Sequence, residues 1–194
     1  MGDSMNHDMT SSLSNLVPHP RYGNAVRKSI CVVSEKVVRE SFWRYRGECI
    51  FPESAIAADT SLQVYTVLSR PWYVDILKKC ATCGRPFLFF AEEQRYWYEF
   101  LKFTVDADCI RCSECRVSER ELRERFNRFS LMTSRLQLND EEVAQYLDDA
   151  MFLFRQGVIK DIQKLGRAKN MGLRQIPTHA ATQNIIELLE SIQH

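Results

Sequence analysis

The sequence predicts an α+β fold that is mostly α: a small cysteine-bearing module with a short β-hairpin, flanked by amphipathic helices. Three observations carry this. Two Cys-x-x-Cys pairs, Cys80 with Cys83 and Cys112 with Cys115, bracket a segment dense in aromatic residues. Apolar residues recur at helical spacing beyond residue 118. Capping signals mark where those helices begin.

Composition sets the bounds. The chain has 194 residues, 45% of them hydrophobic, enough for one ordinary domain or a small metal module with helical additions. A net charge of +1 supplies no global field toward nucleic acid or membrane. No apolar run approaches the roughly 18 residues that span a bilayer, so no membrane association is expected. The polar N-terminal stretch lacks the basic and apolar regions of a secretory signal. Of seven cysteines, five crowd into residues 80–115. That odd, clustered set fits metal ligation in a reducing cytoplasm better than a disulfide scaffold.

The elements follow in order. Residues 1–20 are polar and Pro-containing and read as a disordered tail. Residues 21–69 form a basic, then irregular, region. In it Val26, Ile30, Val33 and Val37 keep helical spacing and are expected to form a helix, although their β-branching leaves a strand open. Gln63 to Leu68 has strand character. Residues 70–118 make the metal module: Phe87, Phe89 and Phe90 predict a short strand, and Ala91 to Leu101 a helix with Glu92 and Glu93 in its first turn. Its many aromatic residues are expected to form the module's core.

Residues 119–194 read as a C-terminal helical region. Ser118 with Glu121 predicts a capping box, so the first helix should start three residues after Cys115 and present Leu122, Phe126 and Phe129 on one face. A second should start at Asn139, with Glu142 completing another capping box and Val143, Leu147, Ala150, Met151 and Phe154 inward. Gly157 should end it. A third carries Ile159, Ile162 and Leu165 and should end near Gly166 or Gly172. The last should run from Thr178 to Ile192.

The cysteine spacing carries the chemistry. Two residues between thiolates let both sulfurs turn toward one ion, and two such pairs close a tetrahedral four-cysteine shell around one structural Zn2+. Gly84, directly after Cys83, permits the left-handed turn of a zinc knuckle. Lys78, Lys79, Arg85, Arg111 and Arg116 flank the ligands, as a dianionic cluster requires. Cys109, Cys112 and Cys115 are spaced alike, so either neighbouring pair satisfies the pattern. Cys112 and Cys115 are preferred because Cys115 lies nearest the expected helix start; Cys109 then reads as a small buried hydrophobe. An Fe–S cluster or a redox Cys-x-x-Cys fits the two-plus-two spacing less well.

Four thiolates leave no vacancy for water, and no phosphate loop, nucleophile elbow or HExxH element occurs, so no catalytic residues are expected. Charge lies in blocks: five acidic residues within 139–149 and, within 155–174, six basic ones, namely Arg155, Lys160, Lys164, Arg167, Lys169 and Arg174. The expected role is mutual attraction of two solvated helix faces. The alternative is nucleic-acid binding through segments 21–46 and 155–174, with Lys160, Lys164, Arg167 and Lys169 as contacts.

The stretch 72–116 also resembles a bacterial family of probable zinc-ribbon, treble-clef-type domains. The resemblance rests on Tyr73-Val74-Asp75, the Cys80-x-x-Cys83-Gly84 knuckle, Ala91 with Gln94, Trp97-Tyr98-Glu99, and Arg111-Cys112 with Cys115-Arg116. It implies zinc binding and a zinc-ribbon fold, and it favours Cys112 and Cys115 over Cys109. It implies no activity. The expectation is therefore a non-enzymatic, cytoplasmic zinc protein that engages a macromolecular partner, nucleic acid being the alternative.

Overall fold

A computed structural model describes residues 15–193. The chain divides into two compact units, one reaching Val117 and one starting at Ser118. The fold class is the expected α+β, mostly α. No helix among the described residues is long and apolar enough to cross a membrane.

The first unit is built on a three-stranded antiparallel sheet, ordered β1 (Cys49–Ala57), β2 (Trp72–Lys79), β3 (Pro86–Phe89). Central β2 buries Tyr73, Val74, Asp75 and Ile76 in succession, as a strand covered on both faces must. Pro52 cannot donate to a ladder, and the β1–β2 register breaks between Phe51 and Ile56. The Ser54 hydroxyl fills the gap, accepting the Asp75 N–H at 2.7 Å. Asp75, fully buried, caps from the same point: its carboxylate accepts N–H groups of Arg27 at 2.9 Å and Ala91 at 2.7 Å. Burial outweighs those two bonds and pushes its carboxyl up to about 6. Helix α1 (Glu35–Ser41), capped by Ser34, and a 3-10 turn at Trp43–Arg46 cover the sheet with Val38, Phe42 and Tyr45.

After β3, helix α2 (Ala91–Arg95) runs directly into a π-helical turn, Tyr96–Phe100. Lys102, at φ 59, ends it and donates to the Leu62 carbonyl at 2.7 Å. Tyr98 is buried, but Tyr96, Phe100 and Phe103 face outward. The aromatic segment therefore forms core only in part.

Several expectations need correction here. Residues 15–20, expected within the tail, are docked: Val17 is buried and donates to the Pro86 carbonyl at 2.9 Å; residues 1–14 lie outside the described residues. Residues 21–69 are not a separate region, because Val17, Val38, Tyr45 and Ile50 share one core with Cys80, Cys109 and Cys112. The helix expected over Val26–Val37 exists only from Glu35; Ile30 and Val32 are fully exposed. Backbone donors upstream are drawn to tertiary acceptors instead, Ser29 N–H to the Glu53 carbonyl at 2.8 Å among them. The β-branched residues there lower helix propensity, so this competition suffices. Gln63–Leu68 is not a strand: Gln63 turns inward to bond the Arg70 backbone and the Tyr73 hydroxyl.

The second unit is helical. It contains most of α3 (Ser113–Thr133), then α4 (Asp140–Arg155), α5 (Ile162–Gln175) and α6 (Ala180–Gln193). The Asn139–Glu142 capping box is formed in both directions. Val143, Leu147, Ala150 and Met151 are buried with Phe129, Leu165 and Ile185, and Phe154 packs alongside. Gly157, at φ 71, follows the end of α4. Neither Gly166 nor Gly172 ends α5; both are internal. Gly172 is there for proximity, since a Cβ would meet Thr182 Oγ1 at 2.7 Å and Leu147 Cδ2 at 2.8 Å. Among the described residues no ion pair joins the acidic block to the basic one. Asp149 is buried and takes Arg128 in two bonds, at 2.7 and 2.8 Å, with Arg125 at 3.3 Å. A buried carboxylate needs fixed, geometrically matched partners, and the forked guanidiniums of α3 supply them.

The two glycines give opposed predictions. Gly172→Ala should destabilise the helical unit by about 1–3 kcal/mol through overpacking. Gly166→Ala, with open space at its Cβ, should stabilise it by up to about 1 kcal/mol through helix propensity. Urea unfolding midpoints decide; equal shifts for both would contradict the packing at Gly172.

Candidate metal centre

The site is assembled from two short pieces of backbone. Strands β2 and β3 pair from Ile76–Phe89 out to Lys79–Pro86, so the chain must turn back between Lys79 and Pro86, and Cys80 and Cys83 stand in that turn. Gly84, at φ 72, makes the reversal, donating its N–H to the Cys80 carbonyl at 2.9 Å. Few residues other than glycine adopt that φ without strain. The second pair lies where α3 begins: Cys112 precedes its first residue and Cys115 stands in its first turn. The two pieces are tied by backbone as well as sulfur, with Ala81 N–H on the Ile110 carbonyl at 2.9 Å and Cys112 N–H on Cys80 Sγ at 3.4 Å.

The helix start corrects the Ser118 capping box. Val117 and Ser118 are inside α3, so the helix begins before Cys115 and not after it. The reason is that α3 starts from the sulfur cluster, where its free N–H groups face thiolates, and needs no hydroxyl cap. The apolar face is also uneven: Phe129 is buried, but Phe126 is exposed.

The four sulfurs of Cys80, Cys83, Cys112 and Cys115 lie within 4.8 Å of one another, and Cys83 and Cys112 approach to 3.9 Å. Zinc–sulfur bonds of about 2.3 Å in a tetrahedron place sulfurs about 3.8 Å apart. The donor set and its spacing thus fit one zinc ion. Cys80 and Cys112 are buried, Cys115 is half-buried and Cys83 is exposed. Cys109 is buried and turned away, with its thiol on the Arg111 carbonyl at 3.3 Å and its ionisation pushed up to about 12 by burial. It is outside the cluster.

The cluster thiols differ in readiness to ionise. Burial opposes ionisation of Cys80, but N–H groups of Cys83, Cys112 and Thr82 outweigh it and bring the thiol down to about 6. The Arg85 N–H and guanidinium lower Cys83. Burial raises Cys112; burial, together with the neighbouring thiols, raises Cys115 to about 12. Loading all four as thiolates therefore expels protons, and a divalent cation supplies the charge that makes this favourable.

Of the five flanking cations, Arg85 meets the expectation most directly. It reaches Cys83 and forms an ion pair with Glu114, which holds its fork in place. Arg111 Nε bonds Thr82 Oγ1 at 3.1 Å across the two pieces. Lys78 instead pairs with Glu48 at 2.9 Å and Asp108 at 2.8 Å. Arg116 pairs with buried Glu93 at 2.6 Å and lies over Trp97 at 5.2 Å. Glu93 also meets His19 at 3.5 Å. No local pattern marks Glu93 or Glu114 as supports, because each acts across the fold; the Thr82 N–H acts within the knuckle turn itself. The basic residues expected as nucleic-acid contacts lie in the other unit. Lys160 precedes α5, Lys164 and Arg167 are exposed on it, and Lys169 is half-buried off that face. These four make no ion pair among the described residues.

Residues 74–124 match the model of a family described as a probable treble clef domain. The segment is a treble-clef, zinc-ribbon-type domain, and its four-cysteine cluster is the place of one structural zinc ion. The match runs past the expected limit at 118, further along α3. No curated protein and no solved structure matches the chain.

Loss of the ion is the direct test. Cys112→Ser should abolish the stoichiometric zinc and unfold the first unit, since such sites supply on the order of 10 kcal/mol of folding free energy. Cys109→Ala should keep one zinc per chain and cost only about 1–2 kcal/mol of packing. Elemental analysis with thermal unfolding of both variants checks this; equal zinc loss in the two would reassign the ligands.

Proposed function

We propose that this is a non-enzymatic, cytoplasmic interaction protein, in which the zinc ion builds a rigid platform for another protein. The observation that supports it is an apolar surface on the zinc-bearing unit. Leu62, Val64, Tyr65, Val67 and Leu68 are all exposed, Val67 at 83% and Leu68 at 57%. Their segment runs beside the end of the aromatic helix, joined by the Val105 N–H to the Val64 carbonyl at 2.9 Å, and there Leu101 and Phe103 are exposed too. Apolar side chains exposed in such number on one unit are what protein partners cover. A closed thiolate shell gives the metal a structural task and no open position for substrate. A reducing compartment keeps such thiolates available.

The replacement of Val67 and Leu68 by Asp tests the surface. The double variant should keep its zinc and its melting temperature, because neither side chain is buried, and should lose a protein partner that the wild type retains in stoichiometric amount. Equal retention by both would sink the proposal.

A second reading, nucleic-acid binding, is favoured by α5. Its outward cations Lys164 and Arg167 stand one turn apart with no acidic partner among the described residues, and exposed Lys160 lies just before the helix. Lys164→Glu with Arg167→Glu should then weaken binding at least tenfold, and wild-type affinity should fall steeply between low and physiological salt. Affinity that ignores salt excludes this reading.

A further inference from the structure

The zinc-bearing unit has a cleft of about 520 Å³ beside the aromatic helix. Arginines 21, 27 and 95 line it with one carboxylate, Glu92. Tyr22, Tyr96 and Phe100 supply its rings. The cleft is held in shape from within. Tyr22 stacks on His19 at 4.6 Å and meets Phe90 at 5.4 Å. Over the Tyr22 ring lie the guanidiniums of Arg21, at 5.6 Å, and Arg27, at 5.7 Å. Arg27 is steadied further by Glu92 at 3.5 Å. Arg95 is exposed and has no ion pair among the described residues.

The opposite wall comes from the π-helical turn. A turn closed from i to i+5, here Leu101 N–H to the Tyr96 carbonyl at 3.0 Å, brings residues four apart nearly above one another. Tyr96 and Phe100 stack with centroids 6.0 Å apart and planes at 28°. They are turned to solvent: Phe100 is 69% exposed and Tyr96 43%. A stacked pair of exposed rings adds nothing to the core, and π-turns recur at functional sites.

We infer that this cleft binds single-stranded nucleic acid, an unpaired base lying on the Phe100–Tyr96 wall and the flanking phosphates on Arg21, Arg27 and Arg95. Rings that accept any base face, beside cations that follow the backbone, are the general means of holding single strands. A duplex keeps its bases stacked on one another and offers no free face to the rings. A volume of this size takes one or two nucleotides and not a helix. The inference rests on the nucleic-acid reading and moves its site from α5 to the zinc-bearing unit.

Fluorescence anisotropy on the full-length, zinc-loaded protein tests it, with labelled octauridylate and octathymidylate as single strands and a hairpin duplex of matched charge. Both single strands should bind, the duplex at least tenfold more weakly. Phe100→Ala and Tyr96→Ala should each weaken binding about tenfold at unchanged melting temperature. Arg95→Glu should weaken it and lower the salt slope by about 0.7. Phe100→Trp should retain binding, its fluorescence quenched as the strand is added. Unchanged affinity in the Phe100 and Tyr96 variants overturns the cleft; if Lys164→Glu with Arg167→Glu then abolishes binding, the α5 reading survives alone. Preference for the duplex, or displacement of the strand by polyglutamate at equal charge, also overturns the cleft. Absence of binding to every strand at low salt overturns both readings.

Discussion

The convergence of four sulfurs is the constraint on which the first unit depends. Cys80 and Cys83 stand at the tip of a hairpin, Cys112 and Cys115 at the start of a helix, and the aromatic helix is looped out between them. Bringing both pairs within 4.8 Å closes that loop and sets where α3 begins. Thiolates packed so tightly repel one another and are costly to bury, so the arrangement is stable only with a cation at its centre. The fold and the metal are thus one equilibrium: what positions the sulfurs is what the ion stabilises. The Cys112 N–H on Cys80 Sγ and the Arg85–Glu114 pair belong to the same arrangement.

Away from the cluster, the unit is held by polar groups placed where apolar ones would be expected. Arg70 is buried without a carboxylate partner among the described residues. Its guanidinium bonds the Tyr45 and Tyr98 hydroxyls at 2.8 and 3.1 Å and lies 4.7–5.2 Å from the rings of Phe42, Tyr45 and Tyr98. Ring faces and phenol oxygens together replace the water a cation loses on burial. Asp75 is the acidic counterpart, buried at the break in β1 with backbone donors in place of a cation. Gln94 bridges the Val74 and Phe89 carbonyls. Each joins segments distant in sequence, so the N-terminal stretch, the sheet and the aromatic helix form one body around the metal site.

That rigidity bears on function. A small sheet stapled by zinc can afford to turn Val67, Leu68, Phe100 and Phe103 outward, because its stability does not rest on burying them. Two surfaces result on the same unit, one apolar and one combining rings with guanidiniums. They differ in chemistry: the first is the surface proposed for a protein partner, the second the one proposed for an unpaired base with its phosphates. The helical unit holds its own shape through the α4–α6 core and the Arg125–Asp149–Arg128 network, leaving Lys164 and Arg167 of α5 without ion pairs among the described residues.

What the sequence by itself determined is whatever depends on neighbours a few residues away. Two-residue spacing defined Cys80, Cys83 and Cys112 and left Cys109 or Cys115 for the fourth sulfur, which the family resemblance favoured as Cys115; Gly84 marked the knuckle, Asn139 with Glu142 the start of α4, and the apolar stripe from Val143 to Phe154 its buried face. The Tyr-Val-Asp, knuckle and Trp-Tyr-Glu pattern pointed to the domain type. Only the tertiary structure decided what depends on distant partners. It drew the Asp149 carboxylate to α3 and not to the basic block, and it seated Val17 on β3. It started α3 at the sulfur cluster in place of the Ser118 cap, and it turned Gln63 inward toward Arg70. It also divided the aromatic residues between core and surface, because a π-turn shifts every following side chain around the helix, and no local preference in Tyr96–Phe100 announces that shift. Local signals select among backbone states of nearly equal energy; burial, charge pairing and the metal then choose, and those act across the fold.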